Sequence, residues 1–421
     1  MDKLPFPKRI DVYIHIFTLL VIMNAWLPLY RRMTGFRLDV IEGDPLRRNI
    51  MLLGYGLALL PCIIKPGRMI GFLIKHPYVI LILLLAVASV FQSGYPTVAY
   101  RRVIALILTV FYAIALYLQF PKRSLLNLLG IVFLIITISS IMLAILMPSW
   151  GVMSGVHAGA WRGVLLHKNS LGKFSVIGII FFSYLWKTTR WQTLRHIWGL
   201  AVISSLVVIY KADSISAYLL FIVVIITAVL IRVAQAWKRD WQLVLILLIF
   251  IVGFGLMIIS DQIELGLSLL GREGTLTGRI PLWTALGEMI LAQPLGYGYG
   301  TFWMGENDPS GLIFQIVRWQ PAHAHNGFID LALQLGWPGL LTMLGLLVFF
   351  AARHFFDAMS GHTVSGLWFI LLTFVILYNV SESSLLAYNS IYTVLLLLTF
   401  FSSNSMKKAI NEQIVINDVS P

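Results

Sequence analysis

Residues 125–147 read LLNLLGIVFLIITISSIMLAILM and contain no charged side chain. A helix needs about 20 predominantly apolar residues to cross a hydrocarbon core about 30 Å thick. Lys122 and Arg123 come directly before this run and Pro148 directly after it, so both of its ends are marked. Because the backbone of a lone span must satisfy its hydrogen bonds internally in lipid, the run predicts a transmembrane α-helix.

Similar apolar runs recur along the whole chain. Of the 421 residues, 59% are apolar and only 12% are charged, whereas about 25% are charged in a typical soluble domain. The 31 Lys and Arg residues outnumber the 18 Asp and Glu residues, but nearly all of them lie between apolar runs, where they face membrane lipids rather than a nucleic acid. These features exclude an ordinary soluble globule. They predict an all-α, polytopic membrane protein with residues 1–421 in a single integral membrane domain.

Breaks at charged, Pro or Gly residues divide the apolar runs into twelve candidate spans. The second span is short and contains Pro61, so it is a candidate for a kinked or re-entrant helix, and its loss would change the parity of the topology. The candidate spans cover residues 12–30, 49–64, 77–93, 103–120, 125–147, 171–186, 194–210, 215–232, 241–260, 327–352, 366–381 and 388–403.

The basic residues of the short loops give an orientation, because Lys and Arg concentrate on the cytoplasmic side. With both termini in the cytoplasm, more than half of the basic residues fall in inner loops and tails. The first outer loop violates the rule with five arginines: Arg31, Arg32, Arg37, Arg47 and Arg48. We expect both termini inside, and the basic residues left outside then need another reason.

Two connections on the outer side are longer than the others, namely residues 148–170 and residues 261–325. Loops of the second length are uncommon unless they are functional. Within it, Ile280–Leu291 has helical apolar spacing and is a candidate for an amphipathic helix on the membrane surface. Residues 404–421 form a polar tail, which we expect in the cytoplasm.

Several classes of protein are disfavoured because their characteristic residues are missing. Cys62 is the only cysteine, so the chain has no intramolecular disulfide and no cysteine-based metal site. The ionisable residues His15, Lys173 and Asp330 lie near span ends, so no chain of carboxylates indicates a pump. Gly296–Gly300 lacks the Lys-Ser/Thr of a phosphate-binding loop and predicts a flexible or closely packed turn.

A first polar constellation lies in residues 160–172, AWRGVLLHKNSLG, directly before an apolar helix. It contains Arg162, His167, Lys168 and Asn169. Cations and amide donors at the N-terminal end of a helix favour an anion, above all a phosphate, which also meets the positive end of the helix dipole. The alternative is that Lys168 and Asn169 cap the helix and contact lipid headgroups.

A second constellation is His323-Ala-His325-Asn326, which directly precedes the span that begins near Phe328. An imidazole held by polar neighbours can take a proton from a hydroxyl group, as glycosyl transfer to a sugar requires. The alternative is an interfacial helix cap. A zinc site is disfavoured because no cysteine and no obvious third ligand stand nearby, so we expect neither a metal nor another cofactor.

A third constellation, residues 276–283 (LTGRIPLW), places Arg279 in the middle of the long outer loop. A guanidinium suits a diphosphate through its planar, paired donors and permanent charge, although an ion pair with Glu273 or Glu288 is the alternative. The turn at residues 211–216 adds hydroxyl groups and one charge pair, or simply turns the chain. Because these groups share one predicted membrane face, they indicate a diphosphate-bearing amphiphile that presents a sugar outside, such as a lipid-linked glycan.

From about Tyr100 to Leu398 the sequence resembles the O-antigen ligase and Wzy-type polysaccharide polymerase superfamily of bacterial inner membranes. The most specific pattern is His325-Asn326, nine intervening residues and then Gly336-x-x-Gly339, which is similar to the catalytic outer loop of the ligases. Further similar patterns are Arg162-Gly163 with His167-Lys168-Asn169-x-Leu-Gly172, Gly278-Arg279 with Trp283 and Pro294-Leu-Gly-Tyr-Gly298-Tyr-Gly300, and Glu382 in an Asn-x-x-Glu-Ser context.

The resemblance implies a GT-C-like, metal-independent glycosyltransferase that acts on undecaprenyl-diphosphate-linked sugars at the periplasmic face, with inversion at the anomeric carbon. It implies that Arg162 and Arg279 bind the diphosphate of the donor. It also implies that His325 is the general base, or at least orients the acceptor hydroxyl. Substrate-binding roles follow for five further residues: Lys168, Asn169, His167, Asn326 and Glu382.

Polymerases and ligases of this superfamily share the donor and differ in the acceptor, which is another lipid-linked repeat unit or the sugar of lipid A-core. Residues 161–169 look similar to exopolysaccharide polymerases of the ExoQ kind, so we expect a polymerase of exopolysaccharide or O-antigen repeat units, with O-antigen ligase as the alternative. A chain-length regulator is a candidate partner. A flippase, which needs a hydrophilic groove through its helices, and a structural assembly protein are weaker alternatives.

Overall fold

A computed structural model describes residues 9–25, 27–34, 44–237, 279–305 and 309–403. These residues are mostly helical and contain no β-strand, so the predicted all-α class is confirmed. The helices, in chain order, are α1 Arg9–Ile22, α2 Leu27–Thr34, α3 Pro45–Ile64, α4 Pro66–Lys75, α5 Pro77–Ala88, α6 Pro96–Gln119, α7 Lys122–Leu146, α8 Pro148–Gly151, α9 Lys168–Thr188, α10 Gln192–Ala212, α11 Ile215–Trp237, α12 Arg279–Ala292, α13 Pro309–Val317, α14 Gly327–Met359, α15 Thr363–Ser381 and α16 Ile391–Ser402.

Among the described residues, 7 helices are long and apolar enough to cross a membrane, or 8 if α4 and α5 form one bent span. The seven are α3, α6, α7, α10, α11, α14 and α15. The chain is therefore a polytopic integral membrane protein, whereas the count of twelve spans stays a prediction. The candidate span 241–260 and the tail 404–421 lie outside the described residues.

Prolines explain where some helices depart from the predicted spans. The candidate span 77–93 is α5 with a short 3₁₀ turn, and it is bent by 93° relative to α4. His76 joins the two helices with φ −126° and ψ 62°, because the residue before a proline avoids the α conformation. Pro61, in contrast, lies within the continuous 20-residue helix α3, which removes the reason to regard the second span as re-entrant.

The centre of the molecule is formed by α9, α15 and α16. Phe181 of α9, Phe369 of α15 and Leu395 of α16 are all fully buried. Helix α9 packs against α10, α7 and α15, while α15 also packs against α14 and α16. Burial on all sides fixes the positions of these helices, and hence of the polar residues at their ends.

The start of α9, the start of α14 and the end of α15 meet at one end of this helix bundle. Lys173, in the second turn of α9, hydrogen-bonds to Glu382, which directly follows α15. The N–H of Asn326, directly before α14, donates to the Ser383 hydroxyl at 3.2 Å. Residues that are far apart in sequence are thus brought to a common place.

Helix α14 is broken at Gly336, which has φ 64° and ψ −167°. A Cβ atom at Gly336 would lie 2.2 Å from the carbonyl oxygen of Pro294. The carbonyl of Pro294 accepts the N–H of Trp337 at 2.9 Å, and the N–H of Tyr297 donates to Leu333 at 2.7 Å. The break in α14 therefore lets the chain after α12 pair with the helix backbone.

The glycine-rich stretch Gly296–Gly300 is of the closely packed kind. A Cβ atom at Gly298 would lie 2.5 Å from the side chain of Ser93, and the Ser93 hydroxyl is 2.8 Å from that of Thr301. Arg102 donates to the Gly300 carbonyl. The stretch is thus a structural turn, and the hydrogen bond from Arg102 connects it to α6.

The helix predicted at Ile280–Leu291 is present as α12. Leu282 and Leu286 are fully buried and pack in a second apolar cluster with Phe302, Ile313 and Leu333. Protein therefore covers one face of α12, while its predicted position on the membrane surface stays a prediction. Residues 261–278 of the long loop lie outside the described residues.

Candidate active site

Hydrogen bonds hold the backbone on both sides of His325. The N–H of Ala324 donates to Asp330 Oδ2 at 3.0 Å, and the indole of Trp283 donates to the Ala324 carbonyl at 2.8 Å. On the other side, the N–H of Asn326 donates to the hydroxyl of Ser383 at 3.2 Å. Three separate parts of the chain thus position this short segment.

Asn326 is the N-cap of α14. Its Oδ1 accepts the N–H groups of Phe328 at 3.0 Å and of Ile329 at 3.2 Å. Asn is a favoured residue for this role because its short side chain reaches the unsatisfied N–H groups of the first turn. The alternative of a helix cap therefore applies to Asn326, and its role in substrate binding stays a prediction.

Asp330, in the first turn of α14, connects the turn at Trp303 with the backbone at Ala324. Its buried carboxylate accepts the indole N–H of Trp303 at 2.7 Å as well as the N–H of Ala324. A buried carboxylate is costly unless it is hydrogen-bonded, and the N-terminal end of a helix favours its charge. Asp330 is therefore a residue that positions His325 through the backbone of Ala324.

The backbone of His325 adopts φ 52°, in the left-handed region that residues other than glycine rarely occupy. Its N–H donates to Nδ1 of His323 at 3.1 Å, and the two imidazole rings lie 4.1 Å apart between centroids. Such a conformation persists only when the surrounding structure determines it, and it is common at functional sites. The tight turn directs both histidines into one cluster.

The imidazole of His325 has a strongly lowered proton affinity. Burial, followed by the charges of His323 and Arg279, lowers the pKa of His325 to about 3. Because this value is far below neutral pH, the ring is uncharged at pH 7 and offers a lone pair to a proton. The effect of Arg279 also shows that the guanidinium at the start of α12 lies close to His325.

Glu382 and Lys173 form an ion pair beside the two histidines. Lys173 Nζ donates to Glu382 Oε1, its side chain is only 2% exposed, and its ammonium lies 5.0 Å from the centre of the Tyr378 ring. Burial alone would raise the pKa of Glu382, but Lys173 and, after it, His323 and His325 lower it to about 2. The carboxylate is therefore ionised at neutral pH.

The sequence does not predict Lys173 as a site residue, because it lies near the start of an apolar run. In the structure it lies within α9 and is buried against Glu382. The charge of Lys173 could have indicated a functional residue, because a lysine inside an apolar run is costly and needs a partner of opposite charge. That partner is the acidic residue Glu382.

His323, His325 and Glu382 each bring a potential ligand atom to within 4.8 Å of the others. Glu382 is thus a third potential ligand beside the two histidines, contrary to the expectation from the sequence. Lys173 on the carboxylate and Arg279 beside His325 both disfavour an added cation. The cluster suits an anion better, and the expectation of no metal stays a prediction.

The residues of the first constellation take different roles from those expected. His167 is the N-cap of α9, and its Nδ1 accepts the N–H of Asn169 at 3.2 Å, so the cap is neither Lys168 nor Asn169. Lys168 Nζ donates to the carbonyl of Asp213 at 2.7 Å. Nε of Arg162 donates to the Trp150 carbonyl at 2.8 Å. Each bond uses one N–H group of a cation that has several.

The first and second constellations act on one another through the Lys173–Glu382 pair. The charges of Glu382 and Lys173 influence His167 as well as His325. Burial, followed by His157 and Lys168, lowers the pKa of His167. His167, Lys168 and the candidate base therefore belong to a common electrostatic environment.

Residues 200–344 match a family model described as O-antigen ligase. This segment of the chain is similar to the O-antigen ligase family. The matched residues include Arg279, His325 and Asp330, while Arg162 and Glu382 lie outside them. The geometry adds Lys173 and Glu382, from the two sides of the matched segment, to its histidines.

The chain is also 34% identical over 96 residues to the exopolysaccharide production protein ExoQ of Rhizobium meliloti strain 1021. The similarity covers 22% of this chain and 22% of that relative. Together the two similarities confirm the O-antigen ligase and ExoQ-like family expected from the motifs. Members of this family are glycosyltransferase-type enzymes, either ligases or polymerases.

Proposed function

We propose that this protein is a glycosyltransferase that uses undecaprenyl-diphosphate-linked oligosaccharides on the periplasmic face of the bacterial inner membrane. The observation that carries the proposal is the position of His325, which hydrogen bonds hold on both sides beside the Lys173–Glu382 pair and within the influence of Arg279. A neutral base next to cations suits a reaction in which a hydroxyl loses its proton while a phosphate leaves as an anion.

In the proposed step, a hydroxyl of the acceptor sugar gives its proton to His325 while its oxygen attacks the anomeric carbon of the donor. The bond between that carbon and the diphosphate oxygen breaks, and its electron pair leaves with undecaprenyl diphosphate. A single displacement inverts the configuration at the anomeric carbon. The carboxylate of Glu382 stabilises the imidazolium that forms, while Lys173 of the same ion pair partly offsets this effect.

Arg279 and Arg162 are the proposed partners of the diphosphate. A planar guanidinium makes paired, charge-assisted hydrogen bonds to phosphate oxygens and stays charged at every relevant pH. Lys168, fixed by Asp213, and Asn169 are proposed to contact the same headgroup. Removal of one donor that stabilises a developing anion lowers kcat by about 10²–10³, so each arginine is expected to matter.

A bound diphosphate is also expected to change the pKa of His325. Arg279 is one of the charges that lower the pKa of His325 in the free protein. Two phosphate groups beside Arg279 would offset its charge and raise that pKa. The proposed enzyme therefore gains basicity at His325 once the donor is bound.

Polymerisation of repeat units is the proposed activity, with ligation to lipid A-core as the alternative. The relative ExoQ is named as an exopolysaccharide production protein, which supports a polymerase, and the O-antigen ligase domain is common to both activities. The acceptor is then the non-reducing end of another lipid-linked unit. A chain-length regulator is proposed as an additional partner.

The deciding experiment uses purified protein, undecaprenyl-diphosphate-linked repeat units and no added metal, with products separated by size. We expect longer lipid-linked glycans from the wild-type protein and a loss of about 10²–10⁴ in rate for His325→Ala, the usual effect of removing a general base. Transfer that occurs only when lipid A-core is present would identify a ligase. No transfer to either acceptor would contradict the proposal and favour a flippase.

His196→Ala is the matched control, because His196 is exposed in α10 and away from the cluster. Its rate is expected to stay within about twofold of the wild type, as is usual for surface substitutions. A parallel reaction with a strong chelator tests the metal question at His323, His325 and Glu382. An unchanged rate is expected, whereas loss of activity that zinc or manganese restores would assign a metal to those three residues.

A further inference from the structure

A groove opens beside the candidate base, between the end of α13 and the segment that leads to His323. Its volume is about 430 Å³, within the usual range of small-molecule sites, about 300–1,000 Å³. Its lining consists of Gly311, Phe314, Gln315, Arg318, Trp319 and Gln320. We call it the Trp319 groove.

The backbone at Arg318 explains why these residues face one another. Arg318 has φ 60°, and its N–H donates to the carbonyl of Phe314 at 2.9 Å. This left-handed residue ends α13 and reverses the chain, as residues after a helix commonly do. Trp319 and Gln320 therefore return beside Phe314 and Gln315 instead of continuing away from the helix.

The lining has the chemistry that a sugar requires. A pyranose ring has an apolar C–H face and a rim of hydroxyl groups. The indole of Trp319, which is 38% exposed, and the ring of Phe314 provide flat apolar surfaces. The amide of Gln315 provides both donors and an acceptor for hydroxyl groups, and Arg318 adds donors that also suit an acidic sugar.

The position of the groove distinguishes the acceptor from the donor. The ring of Trp319 lies 6.0 Å from the imidazole of His325 between centroids. The lining of the groove includes neither Arg279 nor the Lys173–Glu382 pair, the charges that suit a diphosphate. A sugar in the groove is thus next to the base and apart from the cations proposed to hold the leaving group.

We propose that the Trp319 groove is the acceptor-sugar site, with one ring of the acceptor stacked on Trp319 so that its hydroxyl faces His325. This proposal rests on the proposed function, since it assigns the second substrate of that reaction. It makes Trp319 and Gln315 residues that determine acceptor affinity. They do not contribute to the affinity for the lipid-linked donor.

The test varies the acceptor at fixed donor, and then the donor at fixed acceptor, for Trp319→Ala, Trp319→Phe and Gln315→Ala. In Trp319→Ala we expect the KM for the acceptor to rise about tenfold or more, the loss of one stacking contact, while the KM for the donor stays within about twofold. Trp319→Phe keeps a flat ring and should recover most of the affinity. Gln315→Ala should raise only the KM for the acceptor.

Ile316→Ala is the matched control, because Ile316 is on the same helix, is 49% exposed and does not line the groove. Its kinetics should equal those of the wild type. An unchanged KM for the acceptor in Trp319→Ala, with transfer intact, would overturn the acceptor site and leave the proposed function standing. A rise in the KM for the donor alone would overturn it as well.

A binding measurement keeps the proposal testable if the wild-type protein transfers no sugar, which would be a failure of the proposed function itself. The probe is the soluble oligosaccharide released by mild acid from the host's lipid-linked repeat unit, observed by saturation-transfer NMR. Binding to the wild type that is lost in Trp319→Ala supports a saccharide site. Absence of binding, or equal binding to both proteins, contradicts it.

Discussion

The charges around the imidazole of His325 have opposite effects on its proton affinity. Burial, His323 and Arg279 lower its pKa, and Lys173 lowers it further, whereas Glu382 raises it. Only Arg279 is expected to change its effective charge during the reaction, because the diphosphate of the donor binds beside it. The protonation of one side chain therefore reports whether the donor is bound.

This coupling predicts two different pH dependences for transfer. A base is active when unprotonated, so with a pKa of about 3 in the free protein the value of kcat/KM for the donor should show no acidic decline near the usual pKa of His, about 6.5. The acidic limb of kcat, which reports the donor complex, should lie at higher pH. Rates at limiting and saturating donor over about pH 4–8 measure both limbs. Coincident limbs, or a decline of kcat/KM near pH 6.5, would contradict the coupling.

Sequence patterns predict His325, Arg279 and Glu382 as site residues, and the structure brings the three together. They did not point to Lys173 or Asp330. Both of these act through a partner far away in sequence, Glu382 for one and the Trp303 turn for the other. A charged residue near the end of an apolar run is interpreted as an interfacial residue until its partner is known.

The break in α14 allows the segment after α12 to hydrogen-bond with the backbone of α14, and so positions that segment against the helix. Gly336 has φ 64° and ψ −167°, a region that only glycine occupies readily. We expect Gly336→Ala to be destabilised by more than about 1–3 kcal/mol, because the strained backbone alone costs that much and its Cβ would lie 2.2 Å from the carbonyl oxygen of Pro294. Yield of monodisperse protein and thermal melting in detergent measure the effect.

Gly345→Ala provides the control within the same helix. A Cβ atom at Gly345 meets nothing within 4 Å, so alanine there should be neutral or stabilise the helix by up to about 1 kcal/mol. Equal melting temperatures for Gly336→Ala and Gly345→Ala would show that the break in α14 does not depend on glycine.

Apolar periodicity predicted most of the elements correctly, including α12 in the long loop. It failed where two helices meet at a break. The candidate span 12–30 is divided between α1 and α2, and the bend between α4 and α5 depends on the sequence His76-Pro77. The pattern of apolar residues continues through such breaks, because both sides of a bent pair still face apolar surroundings.

At the scale of the whole molecule, the proposed reaction requires that the candidate active site face the periplasm. The polar clusters at the start of α9 and the start of α14 share the Lys173–Glu382 pair, so one orientation applies to both. The excess of Lys and Arg in the predicted inner loops supports this orientation, but five arginines of the first outer loop oppose it. Direct labelling can decide between the two orientations.

Cys62 is the only cysteine, so Cys62→Ala gives a background in which single new cysteines report their side of the membrane. Ser154, before α9, and Ser360, after α14, are both exposed. In spheroplasts, a membrane-impermeant maleimide should react with Ser154→Cys but reach Ser360→Cys only after the inner membrane is opened, because the predicted topology places them on opposite sides. The reverse pattern would put His325 in the cytoplasm, where a lipid-linked glycan exposed to the periplasm could not reach it. Labelling of both in closed spheroplasts would refute the assignment of α14 as a span.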